Sequence, residues 1–114
     1  MTIEDLAAYG ADTKEGLARC MNNEAFYLRL VGMARQDQNL GKLADAVARH
    51  DLDAAFEAAH ALKGVLANLA LTPILRPVSE MTEYLRNRTD MDYSDLLKTA
   101  QEEMARLNSI FSAD

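Results

Sequence analysis

The stretch AAHALKGVLANLAL, residues 58–71, decides how this chain is read. It holds one histidine, His60, with Lys63 and Gly64 one turn later, in a background of alanine, leucine, valine and asparagine. On a helical wheel of about 100° per residue, with His60 at zero, Leu69 falls at about 180°, Leu62 at about 200°, Val65 at about 140° and Ala58 at about 160°. These four mark the core-facing side. The histidine's own side carries Ala67 at about −20°, Asp53 at about 20°, Gly64 at about 40°, Glu57 at about 60° and Lys63 at about −60°. His60 is therefore expected on the outer face of a helix.

The rest of the chain reads as helices too. Thr2, with Asp5 three residues on, signals the start of a short helix over residues 2–9. A second is expected over 13–21. Asn22 and Asn23 offer a cap for a third, with Phe26, Leu30, Met33 and Ala34 at helical spacing and an end near Gln36. From Gln38, Leu40, Leu43, Ala44 and Val47 follow the spacing of an amphipathic helix. The turn Arg49-His50-Asp51 places Asp51 as cap of the helix carrying His60, which should end near Ala70 or Leu71. Thr72-Pro73 reads as a cap followed by proline at the first helical position. Leu75, Val78, Met81 and Leu85 give the stripe of that helix. After a polar loop over 87–92, Asp92 should cap a last helix with Leu96, Ala100, Met104, Leu107 and Phe111 inward. No strand-like alternation and no repeat is present. Short connections favour antiparallel neighbours. The expectation is one all-α domain over residues 1–114: an antiparallel four-helix bundle over about 38–112, with additional short N-terminal helices over about 1–36 covering one side or end.

Composition narrows the function. Apolar residues make up 49% and charged residues 26% of the 114, which suits a packed globular chain. The net charge of −6, without a basic block, disfavours nucleic acid and anionic membrane as partners. Cys20 is the one cysteine, so neither an internal disulfide nor a CxxC motif is possible. No run approaches a membrane span, and Met1–Gly10 does not read as a signal peptide. A cytoplasmic protein is expected.

Each residue near His60 has a plain reading beside a functional one. A lone exposed histidine is commonly an ordinary surface residue. Gly64 weighs against that, because a mid-helix glycine costs about 0.5–1 kcal/mol relative to alanine. Either a neighbouring helix packs tightly there, or another molecule approaches His60. Lys63 is a solvated lysine, or an ammonium within reach of an anion on the imidazole. Phe56, one turn before His60 at about −40°, is partly buried or an interface anchor. Asp53 and Glu57 read as a solvated face.

His60-Ala61-Leu62-Lys63-Gly64 resembles the HxLKG motif of histidine-containing phosphotransfer (HPt) domains. Ala59 before it, Asp51 in the preceding turn, Ala67-Asn68-Leu69 after it and the pair Tyr27-Leu28 are similar to that family as well. The resemblance implies a phosphorelay intermediate that takes a phosphoryl group from the aspartate of a response-regulator receiver domain and passes it to another receiver. It implies His60 as phosphoacceptor, Lys63 as phosphoryl-stabilising residue, and Gly64, Ala67, Phe56, Glu57 and Asn68 as clearance and contact positions for the partner. Receivers, including one in a hybrid sensor kinase, are the implied partners. No cofactor or metal is expected in the chain itself, Mg²⁺ belonging to the receiver, and a monomer is expected. No nucleotide-binding loop is present, so no autonomous kinase activity is expected. The family usually has small residues where Val65 and Leu66 stand and often glycine where Ala70 stands, which points to altered core packing.

Three rivals compete. A sensor-kinase dimerisation domain would want an acidic residue at Ala61 and proline at Val65. An HPt-shaped helical adaptor would bind its partner without phosphotransfer. A metal site would need ligand spacing that His50, His60 and Cys20 lack.

Overall fold

A computed structural model describes residues 1–112. Among these there is no strand, and seven helices follow in order: α1 (Ile3–Tyr9), α2 (Thr13–Arg19), α3 (Glu24–Ala34), α4 (Asn39–Ala48), α5 (Leu52–Asn68), α6 (Thr72–Arg86) and α7 (Ser94–Ser112). The all-α reading therefore holds. Helix starts follow local chemistry. Thr2 and Asp5 form a reciprocal capping box, and the side chains of Asp12, Asn23 and Asp51 accept from the backbone N–H three residues on.

Four boundaries differ from the sequence reading. The second helix ends at Arg19 rather than Met21, because Met21 and Asn22 both turn into the left-handed region at φ 56°. The third helix ends at Ala34 rather than near Gln36. Helix α5 ends at Asn68, because Ala70 turns into the left-handed region at φ 53° and Leu71 N–H reaches back to the Leu66 carbonyl. Thr72 is not a cap: it is already the first residue of α6, and its hydroxyl donates back to the Ala70 carbonyl.

Helix α5 lies at the centre. Helices α4, α5, α6 and α7 pack as successive antiparallel neighbours, joined by short turns. Toward its N-terminal half, Ala55, Ala58 and Ala59 meet Leu43, Ala46, Met81, Leu85 and Tyr93. Toward its C-terminal half, Leu62, Leu66 and Leu69 meet Tyr27, Val31, Ala34, Ile74, Val78, Ala100, Met104 and Leu107. Helices α3 and α4 thus share one flank of α5, each covering a different part of its length. The N-terminal helices supply core, not only a cover.

Of the α3 residues at helical spacing, only Ala34 belongs to the buried face. Tyr27, Val31 and Ala34 are buried, whereas Phe26 and Met33 are exposed and Leu30 is half-buried. Tyr27 matters most. Its ring is fully buried, and its hydroxyl donates to the Leu69 carbonyl at 2.8 Å, satisfying the end of α5. Gly16 of α2 lies flat against that ring, since a Cβ there would stand 2.4 Å from it.

Gly16→Ala should therefore destabilise the fold by about 1–3 kcal/mol, read by urea titration. Burial also pushes the Tyr27 phenol up to about 12 from 10.0, with smaller contributions from Cys20 and Asp12. A raised phenol favours the neutral form in the folded state. The stability it carries is complete below pH 10.0 and falls as pH rises toward about 12. Tyr27→Phe should flatten that alkaline loss in a pH series of thermal melts.

Candidate functional site

His60 sits near the middle of α5 and is exposed, on the face opposite the buried Leu62, Leu66 and Ala59. Asp51 fixes the start of this helix through a 3.0 Å bond from Ala54 N–H, and the Tyr27 hydroxyl holds its end. The histidine therefore stands on a segment anchored at both ends.

One side of His60 is a groove of about 750 Å³ between α5 and α3. His60, Ala61, Gly64, Val65 and Asn68 form one wall, and Leu30, Met33, Ala34 and Asp37 form the other. Gly64 is exposed, and a Cβ added there would meet no atom within 4 Å. Tight packing of a neighbouring helix does not explain this glycine. Val65, expected toward the core, is half-buried and lines the groove.

The other side of His60 faces α6. The Phe56 ring stacks on the imidazole with centroids 5.5 Å apart and planes 18° from parallel. Phe56 is half-buried against the cluster around Leu43 and Leu85, and the guanidiniums of Arg86 and Arg88 lie 5.2 and 4.9 Å from its ring centre. Arg88 also pairs with Asp53. Lys63 is not a freely solvated lysine: its ammonium donates to Glu83 of α6 at 3.3 Å.

The expected site residues thus divide. His60, Gly64 and Asn68 meet on the groove, while Phe56 and Lys63 turn toward α6. Ala67 is half-buried on the same helix. Glu57 is exposed and lines a separate shallow groove with Lys42, Asp45 and Arg49. Among the described residues, no group of three or more His, Cys, Asp or Glu side chains could hold a metal ion, and no helix is long and apolar enough to cross a membrane.

Sequence reasoning missed the residues that other helices bring to His60. The helical spacing of Phe26, Leu30 and Met33 carried a signal for one face of the third helix, but not for its place beside His60. Glu83, Arg86 and Arg88 carried none, because only the register of α6 against α5 places them there.

Gly64→Ala should leave the fold intact and raise its stability by up to about 1 kcal/mol, since alanine is the better helix former and nothing crowds its methyl. A lower midpoint in thermal unfolding would point to a packing role after all. In comparison with known proteins, the family described as Hpt domain matches residues 31–110, from α3 into the last turn of α7. None of the curated proteins and none of the solved structures compared matches the chain.

Proposed function

This chain belongs to the Hpt domain family, and from that premise we propose that His60 is its phosphoacceptor in a relay between receiver domains. Family membership supports a histidine phosphocarrier role and receiver domains as the interacting class. The observation that carries the site is the exposed imidazole on a doubly anchored helix, beside a glycine whose missing Cβ leaves open space.

The transfer needs little from this chain beyond position. The receiver's aspartyl phosphate brings phosphorus in line with a ring nitrogen of His60, most simply the outward Nε2. The nitrogen lone pair forms the P–N bond as the P–O bond breaks, and the aspartate carboxylate leaves with that electron pair. The ring then gives up its other N–H proton. Reversal onto a second receiver regenerates His60. Such transfer depends on positioning and charge compensation more than on covalent assistance. In this reading Gly64 and Ala67 keep the face low for the receiver, and Lys63 offsets phosphoryl charge. Phe56 limits the ring's rotation, and Asn68 and Glu57 lie at the edges of contact. The apolar wall of Leu30 and Met33 adds docking surface, and Met33 is 60% exposed. Mg²⁺ is the receiver's contribution. Residues 1–114 work as one unit, supported by a core that Leu6, Tyr27 and Leu66 share. A cytoplasmic monomer completes the reading.

The rival adaptor role differs in a single outcome, phosphate uptake. With receivers charged by acetyl phosphate, the wild type should gain acid-labile, base-stable phosphate. His60→Gln should abolish uptake while changing stability by no more than about 0.5 kcal/mol. His50→Gln should be near neutral: His50 is exposed in a left-handed turn at φ 55°, outside the groove that holds His60. Gly64→Ala should slow transfer by crowding the receiver. No uptake from any receiver of the same organism would favour the adaptor, and uptake surviving His60→Gln would move the site.

A further inference from the structure

We propose that Glu83 sets how long a phosphoryl group stays on His60, by competing with that group for the ammonium of Lys63. The proposal rests on His60 as phosphoacceptor and adds a positioning residue that acts through Lys63. Glu83 stands on α6 and reaches across to α5. Its Oε1 accepts from Lys63 Nζ at 3.3 Å, and its Oε2 lies 3.5 Å from Nε of Arg86. One carboxylate thus engages both the lysine one turn from His60 and the arginine whose guanidinium covers Phe56, the ring stacked on His60.

The pair is easily exchanged. The Lys63 side chain is 33% exposed and that of Glu83 58%, so water screens their attraction and little energy holds the ammonium in place. A phosphoryl group on the imidazole brings roughly two negative charges and three acceptor oxygens to the same face. Lys63, on a flexible stem, then has two anionic partners within one turn. Arg86 remains for Glu83 when Lys63 leaves, so the exchange strands no carboxylate.

The chemistry of loss gives this competition a readout. In hydrolysis, water adds to phosphorus, the P–N bond breaks, and the ring nitrogen takes up a proton. The products are free His60 and inorganic phosphate. A cation close to the ring opposes its protonation and holds the phosphoryl oxygens. Lys63 on the phosphoryl group slows loss, and Lys63 on Glu83 does not.

The test charges the His50→Gln protein with phosphoramidate, which phosphorylates histidine without a receiver, and follows phosphate on His60 by ³¹P NMR at neutral pH. Glu83→Gln should lengthen the half-life about two- to fivefold, the range that an exposed ion pair sets. Lys63→Ala should shorten it, and adding Glu83→Gln to Lys63→Ala should change it no further. A half-life unmoved by Glu83→Gln, or lengthened equally without Lys63, overturns the proposal. Failure of phosphoramidate to place phosphate on His60 also overturns it. Because no receiver takes part, a protein that phosphoramidate charges but receivers do not would contradict the relay role alone.

Discussion

Helix α5 can present His60 to solvent only because its opposite face is buried along most of its length. Ala55, Ala59, Leu62 and Leu66 are all fully buried, and they face two sets of neighbours. The alanines admit α4 and the ends of α6 and α7 closely. The leucines fill the wider space where α3 and the other N-terminal helices pack. Burial of a leucine side chain is worth about 1.5–3 kcal/mol, so turning α5 to hide His60 would expose several such residues at once. The histidine's position is thus fixed by residues that never touch it.

The ends of α5 complete that constraint. Asp51 closes the N-terminus by accepting from Ala54 N–H, and the Tyr27 hydroxyl reaches the Leu69 carbonyl at the other end. Tyr27 is itself held by the bare Gly16 behind its ring. Two glycines thus serve opposite purposes. At Gly16 a methyl has no room; at Gly64 it has all the room it needs, and the helix forgoes the stability that alanine would add. The chain carries a net charge of −6, yet Lys63, Arg86 and Arg88 gather on the α6 side of His60, where Glu83 and Asp53 offset them.

The order of helices, the caps at Thr2, Asn23 and Asp51 and the outward direction of His60 were legible in the sequence, because each depends on local chemistry or on the 3.6-residue period. Of the α3 positions noted for their helical spacing only Ala34 is buried, while the unmarked Tyr27 and Val31 form the rest of the buried face. Phe26, Leu30 and Met33 are as apolar as Tyr27 and Val31, and periodicity alone cannot rank two adjacent stripes. The end of α5 was placed too late, since nothing about an alanine announces a left-handed turn of the kind Ala70 makes. Val65 looked like core and became groove wall, half-buried with Leu30, Met33 and Ala34 of α3 across the groove from it. The partners of Lys63 and Phe56 come from α6, and their placement depends on interhelix register that no single-sequence pattern encodes.

We propose that His60 receives phosphate from a receiver through the Nε2 tip of its ring. The most direct measurement is ³¹P and ¹⁵N NMR of the ¹⁵N-labelled protein after mixing with an acetyl-phosphate-charged receiver. One phosphoramidate signal is expected, coupled to Nε2 of His60, with the His50 ring unchanged. A signal on His50, or an unaltered His60 ring in the presence of charged receivers, would contradict it.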